Sequence, residues 1–132
     1  MSTNEGEVYF ALEANDFDLN EVTKYIGIEP TYTKKKGYPI PKTTLWVYSS
    51  GKVKQDCIDV YDMASNLIST LEPKTDLIIK AINDFKLSPR LEVVLRFSYN
   101  ENISTPAIGF DKKTIAFLSN VGAYIDVDTY KG

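Results

Sequence analysis

The chain has 132 residues, 43% hydrophobic and 25% charged, with a formal net charge of −3, the size and composition of one globular domain. It contains no histidine and a single cysteine, so the commonest metal ligand, the commonest general base and every Ser-His or Cys-His nucleophile pair are absent. No apolar run approaches the roughly 20 residues that cross a bilayer, and the acidic balance argues against a nucleic-acid-binding domain.

Residues 1–6, Met-Ser-Thr-Asn-Glu-Gly, are polar and lack a secretion signal, and they read as a disordered lead-in. The unpaired Cys57 fits a reducing, cytoplasmic setting. Val8, Phe10, Leu12 and Ala14 alternate with Glu7, Tyr9, Ala11 and Glu13, the period of a half-buried strand. Asp18 then caps a helix over Leu19 to Ile26. Glu21 completes a capping box, Phe17 and Val22 form a hydrophobic staple, and Gly27 stands at the left-handed C-terminal position.

Residues 29–43 hold three prolines, one glycine and four lysines, which predicts one long basic loop. A strand follows at Thr44 to Tyr48. From Asp56, Cys57, Val60, Tyr61, Ala64, Leu67, Ile68 and Leu71 recur at helical spacing. Pro73 interrupts this helix, and another carries Ile78, Ala81, Ile82 and Phe85, so residues 56–86 read as a helical insertion. Cys57 lies on the apolar stripe, where a buried inert thiol is expected.

Leu91, Val93, Leu95, Phe97 and Tyr99 alternate as a long strand, and a turn at Asn100 to Thr105 leads to a short strand over Pro106 to Gly109. The opening pattern then returns. Phe110 and Ile115 form the staple, Asp111 the cap, Gly122 the helix end, and a last strand covers Ala123 to Thr129. Two β-α-β units with a helical insertion between them predict a single α+β domain. Its sheet is expected to be mainly antiparallel, with the unit helices on one face, as in ferredoxin-like folds.

The run Tyr25-Ile26-Gly27-Ile28-Glu29-Pro30-Thr31, the lone Trp46, and the closing Gly122-Ala123-Tyr124-Ile125-Asp126-Val127-Asp128 with Tyr130 resemble the bacterial family described as domain of unknown function 4279. The resemblance covers nearly the whole chain. It implies a bacterial α+β domain and transfers no activity, cofactor or catalytic residue.

With nine tyrosines, the alternation predicts a second sheet face carrying Tyr9, Trp46, Tyr48, Arg96, Tyr124, Asp126 and Asp128, together with Glu7, Glu13 and Glu92. Tyr and Trp offer rigid apolar area with a polar handle, which suits a protein partner. The carboxylates outnumber Arg96 and repel a phosphate backbone. The alternative is that the inserted helices cover this face and Trp46 is a core anchor.

Asp126 and Asp128 point to one side of a strand, yet two carboxylates are an incomplete cation site, and they read as solvated charges. No metal or cofactor is predicted. Lys34, Lys35 and Lys36 form a basic run that suits an anion or an acidic partner, without the glycine and Ser/Thr pattern of a phosphate loop. The favoured reading is a non-catalytic bacterial domain that binds another protein, in its most concrete form a toxin-neutralising immunity protein. Two alternatives stand beside it: a small-ligand binder or enzyme with a Tyr/carboxylate-lined pocket, and a structural subunit working as a homodimer.

Overall fold

The computed structural model describes residues 3–132. Strand β1 (Asn4–Ala14) leads into helix α1 (Leu19–Ile26), then β2 (Tyr32–Lys34), β3 (Thr44–Ser49) and β4 (Val53–Gln55). Helices α2 (Val60–Leu71) and α3 (Thr75–Phe85) follow, joined by a 3-10 turn at Glu72–Lys74. The chain closes with β5 (Ser88–Phe97), α4 (Lys112–Val121) and β6 (Tyr124–Lys131).

The predicted caps have a clear physical basis. The Asp18 carboxylate accepts from the Glu21 N–H at 3.1 Å and the Asp111 carboxylate from the Thr114 N–H at 2.7 Å. Each satisfies a donor that the first helical turn leaves without a partner. Gly27 at φ 76° and Gly122 at φ 73° end these helices in the left-handed region, where a Cβ is strained.

The six strands form one mixed sheet in the order β2-β3-β1-β5-β6, with β4 pairing the start of β1. All pairings are antiparallel except β5 with β6. The mixed α+β character agrees with the sequence reading; the ferredoxin-like arrangement is not confirmed. In a β-α-β unit the two strands run parallel, which holds for β5-α4-β6. The first expected unit joins β1 through α1 to the strand at Thr44 to Tyr48, and that strand, β3, is an antiparallel neighbour of β1; β2, which follows α1 directly, pairs β3 and not β1.

One side of the sheet carries the core. Val8, Phe10, Leu12, Trp46, Leu91, Val93 and Leu95 are fully buried there, packed in one cluster with Val22 and Ile26 of α1, Ile68 and Leu71 of α2, Ile78 of α3 and Phe117 of α4. Phe10 meets Phe117 edge-on with ring centroids 5.6 Å apart. The four helices therefore share a face. No helix among the described residues lies on the opposite face.

Several expectations are corrected. Residues 4–6 are strand, not lead-in: Asn4 is buried, its amide donates to the carbonyls of Asp56 and Ser104 at 2.9 and 2.8 Å, and it accepts from the Ser98 N–H at 2.9 Å. Met1 and Ser2 of that lead-in lie outside the described residues. The basic loop contains β2, and β4 went unpredicted; three residues are too few to display alternation. Residues 106–109 form no strand beyond an isolated bridge between Ala107 and Asp59. Cys57 is exposed, because α2 starts only at Val60 and the residue turned inward before it is Ile58.

Candidate functional site on the open sheet face

Side chains at paired positions of neighbouring strands share a face. The register Leu12↔Trp46 and Phe10↔Tyr48 puts Trp46 and Tyr48 under the helices, not on the open face. Trp46 is fully buried and its indole N–H donates to the Thr23 hydroxyl of α1 at 3.1 Å. The cause of the misplacement is that Thr44, Leu45, Trp46 and Val47 are all buried. β3 has an apolar residue on both sides, so its alternation carries no sign of which side is in. Ala11, Leu45 and Val47 form a small second cluster on the open side, partly roofed by Tyr9.

The open face does carry Tyr9, Arg96, Tyr124, Asp126 and Asp128, as the pairing of β1, β5 and β6 requires. Tyr32 of β2 joins them and meets Tyr9 with ring centroids 6.4 Å apart. Arg96 lies over the Tyr130 ring at 4.8 Å, a cation–π contact. The lysine run does not act as one patch. Lys34 sits exposed on β2, opposite Leu45. Lys35 pairs with Asp16 at 2.7 Å and donates to the Phe17 carbonyl at 2.8 Å, while Lys36 donates to the Asn15 amide oxygen at 2.7 Å. Both hold the loop against the connection between β1 and α1.

At the centre of the face stands a charged network that no single sequence motif reveals. Arg90 donates through Nη1 to Glu13 Oε1 at 2.6 Å and through Nε to Glu92 Oε1 at 2.9 Å. The Thr43 hydroxyl donates to Glu13 Oε2 at 2.5 Å. Burial alone would weaken the hold of Arg90 on its proton, but hydrogen bonds to Tyr9, Glu13 and Glu92 outweigh it and leave the guanidinium more firmly charged. The hydrogen bond from Thr43, and then the contact with Arg90, hold the Glu13 carboxyl below its ordinary value. Burial raises Tyr9, and raises Tyr32 to about 12 with Glu7 adding to the effect.

Glu92 is the outlier. It is 4% exposed, and the parallel register of β5 and β6 sets Asp126 directly opposite it and Asp128 one step along. Burial first, and then these two carboxyls, push its own carboxyl up to about 7 against the pull of Arg90. Arg90, Tyr32 and Tyr130 are absent from the face expected from the sequence; Glu13 and Glu92 are on it, but nothing in the chain indicates which of its charges meet.

A recess of about 250 Å³, lined among others by Tyr9, Tyr32, Lys52, Val94 and Arg96, opens on this face. A larger recess, about 1040 Å³, lies elsewhere, beside α1 and β2, lined among others by Asp16, Thr23, Lys24, Glu29 and Lys35. Its Asp16 and Lys35 neutralise one another, which leaves it less suited to holding a charged ligand than the face with a surplus of carboxylates. No helix among the described residues is long and apolar enough to cross a membrane.

No curated protein and no solved structure matches the chain. The model of the family described as "Domain of unknown function (DUF4279)" matches residues 3–132, essentially the whole chain, and the chain belongs to that family.

Proposed function

We propose that this member of DUF4279 is a non-catalytic binding domain that recognises another protein through the open face of its sheet. One observation carries the reading: every helix among the described residues packs on the opposite face, so Tyr9, Tyr32, Tyr124 and Tyr130 flank a net acidic network with no described element above it. Exposed tyrosines and arginine are enriched in protein interfaces, where they serve as anchors. The surplus of carboxylates favours a partner presenting Lys or Arg and disfavours a phosphate backbone. In its most concrete form the domain is a toxin-neutralising immunity protein of a bacterial cytoplasm.

A second reading, a small-ligand binder or enzyme, is favoured by one feature, the proton-hungry Glu92 beside Arg90 and Tyr9. Its difficulty is placement: neither Glu92 nor Arg90 lines the recess of about 250 Å³ on this face, whereas a ligand site gathers its polar groups inside the pocket.

Site-specific photocrosslinking tests the protein reading. A crosslinker replacing Tyr32 or Tyr124 should capture a partner that one replacing Ile115, exposed on α4, does not. Tyr32→Ala should then weaken the purified complex by about 2 kcal/mol, roughly thirtyfold, in calorimetry. Capture from Ile115 alone, or an undiminished affinity, would sink the assignment of the face. Adducts between two copies of the chain place the face in a homodimer instead.

A further inference from the structure

We propose that Glu92, Asp126 and Asp128 together bind one hard divalent cation, Ca²⁺ or Mg²⁺. The donor set is the first support. The three carboxylates rise from the same side of two hydrogen-bonded strands, and one oxygen from each lies within 4.8 Å of the others. Oxygens bound to Ca²⁺ at about 2.4 Å stand about 3.4 Å apart when adjacent and about 4.8 Å when opposite, and the Mg²⁺ values are about 3.0 and 4.2 Å. A spread of up to 4.8 Å is that of a Ca²⁺ shell as it stands, and Mg²⁺ would draw the carboxylates closer by about 0.6 Å. With no histidine in the chain and only carboxylates in the cluster, the donors select a hard cation.

The second support is independent of the clustering. Glu92 is 4% exposed, its Oε1 accepts from Arg90, and its Oε2 is buried without any hydrogen-bond partner. An ionised oxygen shut away from water with no donor is strongly disfavoured unless a positive charge meets it. Arg90 does not suffice, since Glu13, Glu92, Asp126 and Asp128 set four negative charges against its one, a net of −3. A divalent cation brings that to −1. Asp126 is exposed and Asp128 half-buried, so water has access to complete the shell. A proton shared among the carboxyls, or a Lys or Arg of the partner proposed above, would also answer the charge. This site needs no partner protein and stands apart from the reading above.

The test uses the full chain, stripped with EDTA and exchanged into metal-free buffer at about pH 7.5, then titrated separately with CaCl₂ and MgCl₂. The stripped protein should remain folded, because its core is complete without the ion. At least one ion should bind at a single saturable site with Kd on the order of 0.1–1 mM, within the range of weak all-oxygen sites. At ten times that concentration the melting temperature should rise by about 4 °C. Asp126→Asn and Asp128→Asn should each weaken binding at least tenfold, whereas Glu7→Gln, on the same face outside the cluster, should change nothing. No saturable binding of either ion below about 10 mM, or binding undiminished in both Asn variants, overturns the proposal. So does a Glu92→Gln protein that melts above wild type while wild type ignores both ions, since that result assigns the buried oxygen to a proton.

Discussion

Trp46→Ala distinguishes a core anchor from an interface residue, and the structure commits to the first. Trp46 is fully buried between β3 and α1, and its indole N–H is held by the Thr23 hydroxyl. A Trp removes about 150–250 Å² from water, which at about 25 cal/mol per Å² is roughly 4–6 kcal/mol. Alanine recovers little of this and leaves a cavity, so the expected loss is about 3–5 kcal/mol. With a urea m-value of about 2 kcal/mol/M for a chain of this size, the midpoint falls by roughly 2 M at unchanged slope. Because a domain's whole stability is about 5–15 kcal/mol, Trp46→Phe is the companion variant; it keeps most of the volume and should lose about 1–2 kcal/mol. Urea unfolding followed by far-UV circular dichroism reads both, and wild-type Trp46 fluorescence should resist acrylamide quenching. A Trp46→Ala loss below about 1 kcal/mol, with Trp46 readily quenched in the native protein, would refute the placement of β3.

Two further substitutions probe the sheet face and the helix layer. Arg90→Met strips Glu13 and Glu92 of their shared counter-charge and should destabilise by about 3 kcal/mol, the usual penalty for leaving a buried carboxylate unpaired; a loss below about 1 kcal/mol in urea unfolding would show the network to be ornamental. Asp111→Ala removes the cap of α4 and should cost about 1 kcal/mol near neutral pH. Asp111 is held down to about 2 from an ordinary 3.8, chiefly by hydrogen bonding to Thr114. Its contribution is therefore complete above about pH 4 and lost as pH falls through about 2. The wild-type advantage over Asp111→Ala should shrink across that window, and an advantage that is flat with pH would dissociate the cap from the carboxylate.

What was legible in the sequence is what local physics dictates. Asp18 and Asp111 announce their helices because a short carboxylate satisfies orphan N–H groups, and Gly27 and Gly122 end them because only glycine tolerates their φ cheaply. Alternation exposed β1 and β5 for the same reason: one side meets the helices and the other does not. Where both sides are apolar the signal vanishes. Leu45 and Val47 lie over the small outer cluster with Ala11 while Trp46 faces the main core, and any choice of phase for that run looks equally hydrophobic.

The acidic cluster shows why a site can be written in residues and still be unreadable. A helix crossing over between two neighbouring strands implies that β5 and β6 run parallel, and the period of two then puts Glu92, Asp126 and Asp128 on a common side. That much follows from pattern alone. The register does not. Sliding β6 by two residues against β5 keeps every side chain on its face, yet sets Glu92 opposite Tyr124 or Asp128 in place of Asp126. Hydrophobic burial is nearly indifferent to such a slip, because Ile125 and Val127 are themselves substantially exposed at the sheet edge. Register at an edge is thus decided by contacts the chain makes only after folding, including the fit of α4 against β5. The buried Oε2 of Glu92 is a consequence of that register, and a cation or a proton is the charge it calls for.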